Sequence, residues 1–129
     1  MMIEIYQTFK RMEARPAMWT GELSLKSIKT FSDGYLFALS ENNLIEPNPN
    51  EVLNFHDWVA NKLGFSHSTA GWHNMILADT IGLDPKNVNW DNYSSEVTKG
   101  QHGKSIRTFY KLLGEFVDAQ SSRQRLIQR

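Results

Sequence analysis

The 129-residue chain predicts an all-α fold, a single-domain bundle of five or six helices spanning residues 1–129. Three observations carry that expectation. Apolar residues recur at three- and four-residue spacing in several separate segments, the period of a helix with one buried face. Strand signals are sparse, with no Asn-Gly turn and no sustained alternation of β-branched residues. A hydrophobic fraction of 40%, with 12% aromatics, is enough to fill one core at this length.

Ile3, Tyr6, Phe9 and Met12 form the stripe of a first short helix, which Pro16 ends because the residue before proline is pushed out of helical geometry. RPAMWTG (Arg15 to Gly21) then reads as an extended connector or turn. Ser24 caps a second helix in which Leu25, Ile28, Phe31, Tyr35, Ala38 and Leu39 keep the spacing over four turns. Gly34 inside it costs roughly 1 kcal/mol relative to Ala, and a close helix–helix crossing is one reason to keep it. Pro47 and Pro49 place Glu41 to Asn50 in a loop.

A third helix runs from about Glu51 to Leu63, with Val52, Phe55, Val59 and Leu63 on one face and Gly64 closing it. Ser68 or Thr69 caps a fourth, which carries Trp72, Met75 and Ile76 and stops near Gly82. Asp84-Pro85 opens a turn, and the segment after Gly82 is irregular or a short hairpin. Trp90 and Tyr93 pin that segment to the core, while Gly100 and Gly103 bracket a mobile tip. Ile106, Phe109, Tyr110, Leu113, Phe116 and Val117 give a last helix over about Lys104 to Ala119. The basic tail at residues 121–129 is expected to fray.

Composition narrows the function. The chain has no cysteine, which removes disulfides, thiol catalysis and cysteine-based metal sites. The first residues carry charges where a signal peptide needs an apolar run, and no segment approaches the ~20 apolar residues of a membrane span. A cytoplasmic protein without membrane contact is expected. Fourteen basic and fourteen acidic residues cancel, unlike the net basic footprint of most nucleic-acid-binding domains.

The charge is segregated, however. From Asp33 to Glu96 there are nine carboxylates (Asp33, Glu41, Glu46, Glu51, Asp57, Asp79, Asp84, Asp91 and Glu96) against Lys62 and Lys86, a net of −7. The two ends are basic by the same amount. An acidic centre favours a basic partner and disfavours gripping DNA there.

Catalytic patterns are absent. There is no Gly-x-Ser-x-Gly elbow, and GQHGKS at Gly100 to Ser105 imitates only the end of a phosphate loop, reading instead as a flexible lead into a helix. His56, His67 and His73 lie eleven and six residues apart. Helical zinc sites favour three- or four-residue gaps, so neither a metal nor an acid–base role is expected. A hydrolase built on these histidines is the weakest of the functional readings.

Asn54 to Leu77 permits a helix-turn-helix: Ala60 and Gly64 have the spacing of such a turn, and Ser66 to His73 would begin the recognition helix. No Lys or Arg lies between Ser66 and Pro85 to meet phosphate or guanine, which makes DNA binding the alternative reading. RPAMWTG is also close to the RPGMYIG stretch of gyrase-type ATPase domains. The Asp-x-Gly-x-Gly nucleotide loop those domains need occurs nowhere in this chain.

RPAMWTGELSLKSIKTFSDGYLFAL, with FHDWVANKLGF and STAGWHNMIL, resembles small bacterial immunity proteins of polymorphic-toxin and contact-dependent growth-inhibition systems. The likeness spans roughly residues 12 to 80. It implies a non-enzymatic cytoplasmic inhibitor, without cofactor or metal, that occludes the functional cleft of one cognate toxin domain, often a nuclease. Combining that implication with the acidic centre and the surplus aromatics gives Asp57, Trp58, Asp79, Asp84, Trp90, Asp91 and Tyr93 as expected partner-binding residues.

Overall fold

A computed structural model describes residues 8–44, 49–65 and 70–127. Six helices occur among them: α1 (described over residues 8–12), α2 (Pro16–Thr20), α3 (Leu25–Glu41), α4 (Pro49–Leu63), α5 (Trp72–Thr80) and α6 (Lys99–Ile127). No strand occurs among the described residues, so the segment after Gly82 holds turns and no hairpin. Ile3, Tyr6, Glu46, Ser66, His67, Ser68 and Thr69 lie outside the described residues, as do the side chains of Glu51 and Val52.

α2 corrects the sequence expectation for RPAMWTG. Pro16 stands at the first helical position, where its fixed φ suits the helix and its missing N–H costs nothing. Gly21 then closes the turn at φ 83°, donating its N–H to the Ala17 carbonyl at 2.8 Å. Proline at the start and glycine just past the end is a helix signature even over five residues.

Ser24 caps α3 as expected, its Oγ accepting the Ser27 N–H at 3.2 Å. Leu25, Ile28 and Ser32 are buried, but Tyr35 is half-buried and Ala38 exposed, so the apolar stripe is covered mainly over its first two turns. Gly34 is not a crossing point within the chain: a Cβ there would meet nothing within 4 Å.

Three helices end in the same hydrogen-bond pattern. After α3, α4 and α5, a residue in the left-handed region (Asn43, Gly64 and Gly82) turns the chain. The next N–H returns to a carbonyl five residues back: Leu44 to Leu39, Phe65 to Ala60, and Leu83 to Ala78. The apolar residue after each turn normally packs back on its helix. Phe65 is buried and Leu83 half-buried, whereas Leu44 is exposed.

α5 is the centre of the bundle, packing against α3, α4 and α6. Trp72, Met75, Ile76, Leu77 and Ala78 are all buried, so most of its circumference is covered. Its N-cap is Gly71, at φ 93° and ψ 153°, with no side-chain cap. Around it lies one aromatic core. The Trp72 indole stacks on Phe109 at 4.8 Å and 12°, Phe9 meets Phe109 edge-on at 5.4 Å, and Phe55 bridges Trp72 and Phe116.

α6 starts earlier and ends later than its periodicity suggests. Thr98 and Gln101 form a reciprocal cap, the Gln101 N–H donating to Thr98 Oγ1 at 3.1 Å and the Thr98 N–H to Gln101 Oε1 at 2.8 Å. Gly100 and Gly103 are therefore in the first turns of a helix, not a mobile tip or loop. The helix also continues to Ile127, beyond the Ala119 end that its apolar periodicity predicts. No helix among the described residues is long and apolar enough to cross a membrane.

Candidate functional site

The segment joining α5 to α6 is built from side-chain-stabilised turns. Asp84 accepts the Lys86 N–H on its carboxylate at 3.0 Å, and the Asn87 N–H returns to the Asp84 carbonyl at 3.0 Å. Pro85 presets the φ of that turn. It also rests on the end of α4, its Cγ 3.8 Å from where a Gly64 Cβ would lie. Asn89 repeats the device, its Oδ1 accepting the Asp91 N–H at 3.2 Å and its carbonyl the Tyr93 N–H at 3.0 Å.

Two aromatics pin this segment to the bundle, as expected. Trp90 packs on Phe65 at 5.8 Å and meets Tyr93 edge-on at 5.2 Å. The Tyr93 hydroxyl donates to Asn74 Oδ1 on α5. Asn74 is oriented for this because its amide donates to the Ala70 carbonyl at 2.7 Å. Burial pushes the Tyr93 phenol up to about 12, so it stays a neutral donor. Both rings are half-buried and their contacts are internal, so they position the segment and offer a partner only their outer edges.

The outer surface is acidic. Asp84, Asp91 and Glu96 are exposed on the segment, and Asp79 is exposed near the end of α5. Among the described residues the ion pairs are Lys10–Glu13, Lys29–Asp33 and Lys62–Glu115, so none of these four carboxylates has a cationic partner. Lys86 is the one base between Asp79 and Glu96.

Asp57 and Trp58 stand apart from that group. Both lie on α4, Asp57 exposed and Trp58 half-buried, and Trp58 packs against Phe116 of α6 at 5.8 Å. Lys62 Nζ lies 5.7 Å from the Trp58 ring centre and also faces Glu115. Trp58 is thus part of the α4–α6 seam and makes no ring contact with Trp90 or Tyr93. The structure groups four of the expected residues, Asp84, Trp90, Asp91 and Tyr93, on one segment.

The other chemistry weighed from sequence does not assemble among the described residues, which leave out His67. His73 is half-buried on α5 with Nδ1 buried and unpartnered, and its pKa is lowered to about 4 by burial and the nearby Lys29, against an opposing pull from Asp33. A histidine so reluctant to accept a proton is a poor general base near neutral pH. Among the described residues no three His, Asp or Glu side chains come together as metal ligands. A groove of about 520 Å³ between α1 and α6 mixes Lys10, Arg107 and Lys111 with Glu13, Glu115 and Asp118 around Tyr110. Its charges balance, and no Ser, Thr or His lines it.

Sequence reasoning missed a second surface. Met18, Trp19, Phe37 and Leu44 are 73%, 44%, 67% and 69% exposed, and they are the large apolar side chains left open among the described residues. All four come from α2, α3 and the turn after it. Phe37 could have been found in the sequence, because it falls off the Leu25–Ile28–Phe31–Tyr35 stripe by nearly half a turn. No family model, curated protein or solved structure matches the chain.

Proposed function

We propose that the chain is a non-enzymatic binding protein that neutralises a basic bacterial toxin domain by covering its functional cleft. The observation that carries this reading is the α5–α6 segment, which holds exposed, unpaired carboxylates on a backbone fixed by Asx turns and two pinned aromatics. A charged surface that is already ordered loses little entropy on binding and steers an oppositely charged partner toward it. The resemblance to immunity proteins supplies the toxin as partner class, and a nuclease groove is the basic cleft such a surface suits. Asp79, Asp84, Asp91 and Glu96 would form the steering edge, with Trp90 and Tyr93 behind them.

The helix-turn-helix alternative fares worse on geometry. Such a unit joins its helices by about three or four residues and leaves the second helix free to enter a groove. Here α4 ends at Leu63, α5 begins at Trp72, and five of the nine residues of α5 are buried.

The test is co-purification with the tagged chain from its native host, followed by reconstitution with the recovered partner. A stoichiometric basic toxin domain, inactivated on binding and released by salt, is the expected result. Recovery of DNA alone, or a partner whose activity the chain leaves intact, would overturn the proposal.

A further inference from the structure

The exposed apolar residues of α2 and α3 are arranged self-complementarily about Gly34, and we infer that this face pairs with the same face of a second copy, the two α3 helices crossing antiparallel at Gly34. The inference is independent of the acidic segment, since it uses only residues of α2 and α3.

The buried side of α3 is marked by Leu25, Ile28 and Ser32, and the opposite side carries Lys26, Thr30, Gly34, Phe37, Ala38 and Glu41, all exposed. At 100° per residue these six fall within one stripe. Gly34 is its midpoint, and nothing inside the chain explains a glycine there: its φ is ordinary and a Cβ would meet open space. An exposed mid-helix glycine costs up to about 1 kcal/mol relative to alanine. Close approach of a second backbone is the physical use left for it.

Antiparallel pairing about residue 34 gives each side chain a defined opposite. Thr30 faces Ala38 of the second copy, and Phe37 faces the region of Thr30 and Phe31. That region is a shallow groove of about 370 Å³ whose wall is the exposed Trp19 of α2. An aromatic ring left in water and an aromatic-walled groove large enough for it are thereby brought together twice, as a two-fold axis requires.

The charges also match. Lys26 lies eight residues before Gly34 and Glu41 seven after it, about 12 and 10 Å along the axis. Antiparallel copies therefore set Lys26 against Glu41 at both ends, whereas parallel copies would set like charges together. Neither residue has an ion-pair partner among the described residues. The stripe is narrow, so the dimer belongs to the weak, concentration-dependent class.

The absence of cysteine makes the test clean, since any introduced thiol is the sole one. Sedimentation velocity from micromolar to submillimolar protein should show a monomer–dimer equilibrium, and Phe37→Ser should weaken it roughly tenfold or more. Circular dichroism checks that the variant stays folded, which its exposed position favours. Under mild oxidation Gly34→Cys should cross-link to itself. Thr30→Cys and Ala38→Cys should each fail to cross-link alone but cross-link to one another when mixed. A monomer at every concentration overturns the inference, as does a dimer indifferent to Phe37→Ser or Thr30→Cys cross-linking to itself, the mark of parallel pairing.

Discussion

The Tyr110 hydroxyl donates a hydrogen bond of 2.7 Å to the Phe9 carbonyl, joining two residues 101 positions apart. α1 is held to α6 by this bond and by the edge-on packing of Phe9 against Phe109. Burial, with a smaller contribution from Glu13, holds the phenol above its ordinary pKa, so it remains a donor across the working pH range. Tyr110→Phe keeps the ring but removes this buried hydrogen bond to the Phe9 carbonyl. It should lower unfolding free energy by about 0.5–1.5 kcal/mol in urea denaturation, with little change in slope. A loss well below that range would mean water replaces the bond and α1 is held by packing alone.

The start of α6 gives a second prediction. Thr98 and Gln101 each satisfy the other's backbone N–H, so removing either side chain exposes a helix-end donor. Thr98→Ala should cost about 1 kcal/mol, and Thr98→Ser much less, because serine keeps the accepting oxygen. Equal losses in the two variants would count against the cap.

This cap also marks what the sequence left hidden. The helix class and the core were legible because Leu25, Ile28, Phe55, Val59, Met75, Phe109 and Phe116 carry the helical period and are buried. Thr98-Lys-Gly-Gln101 is a capping box, but Gly100 and Gly103 read locally as breakers, and tertiary burial of Ile106 and Phe109 overrides that penalty. RPAMWTG misled in the opposite direction: a helix of five residues has no periodicity to read, only its proline and glycine. In the candidate site, Asp84-Pro85 was legible as opening a turn, whereas the second turn at Asn89 was not read from the sequence. Which aromatics face inward was not legible either, since Trp58 and Trp90 are decided by partners on other elements.

Gly71 carries a prediction on backbone strain. Its φ of 93° with ψ 153° is a region L-residues avoid, and a Cβ would lie 2.9 Å from Cε1 and Nδ1 of His73. Gly71→Ala should destabilise by roughly 1–3 kcal/mol from the backbone alone, with the overlap added. Combining it with His73→Ala should recover the overlap but not the backbone part, which a double-mutant cycle separates. Full recovery in the double variant would show that the conformation at Gly71 costs nothing.

His73 also sets a pH dependence. Its folded pKa of about 4 lies below the ordinary imidazole value of 6.5, lowered by burial first and by Lys29 and Lys26, with Asp33 opposing. Between those two values the unfolded chain binds a proton that the folded chain refuses, so stability falls as pH drops through that window. The contribution is complete above the unfolded pKa, and the loss levels off below the folded one. At about pH 5 it should amount to roughly 1–2 kcal/mol, allowing for the solvent that still reaches the ring. His73→Leu should flatten stability between about pH 6.5 and 5, above the range where most carboxylates titrate. An unchanged slope in that variant would move the proton uptake elsewhere.

The acidic segment makes a kinetic prediction once its partner is in hand. Asp91 and Glu96 are exposed and unpaired among the described residues, and the hydrogen bond at Asp91 uses its backbone N–H, leaving the carboxylate unused by the turn. Asp91→Asn with Glu96→Gln should therefore leave stability within about 0.5 kcal/mol. Association with a basic domain should slow several-fold at low salt, the difference shrinking at high salt, while dissociation changes little. Trp90→Ala should act differently. It removes the packing on Phe65 and Tyr93 that holds the segment, so it should destabilise the fold and speed dissociation by loosening a preordered surface. If surface plasmon resonance found both variants associating and dissociating like the parent, the proposed partner surface on this segment would be overturned.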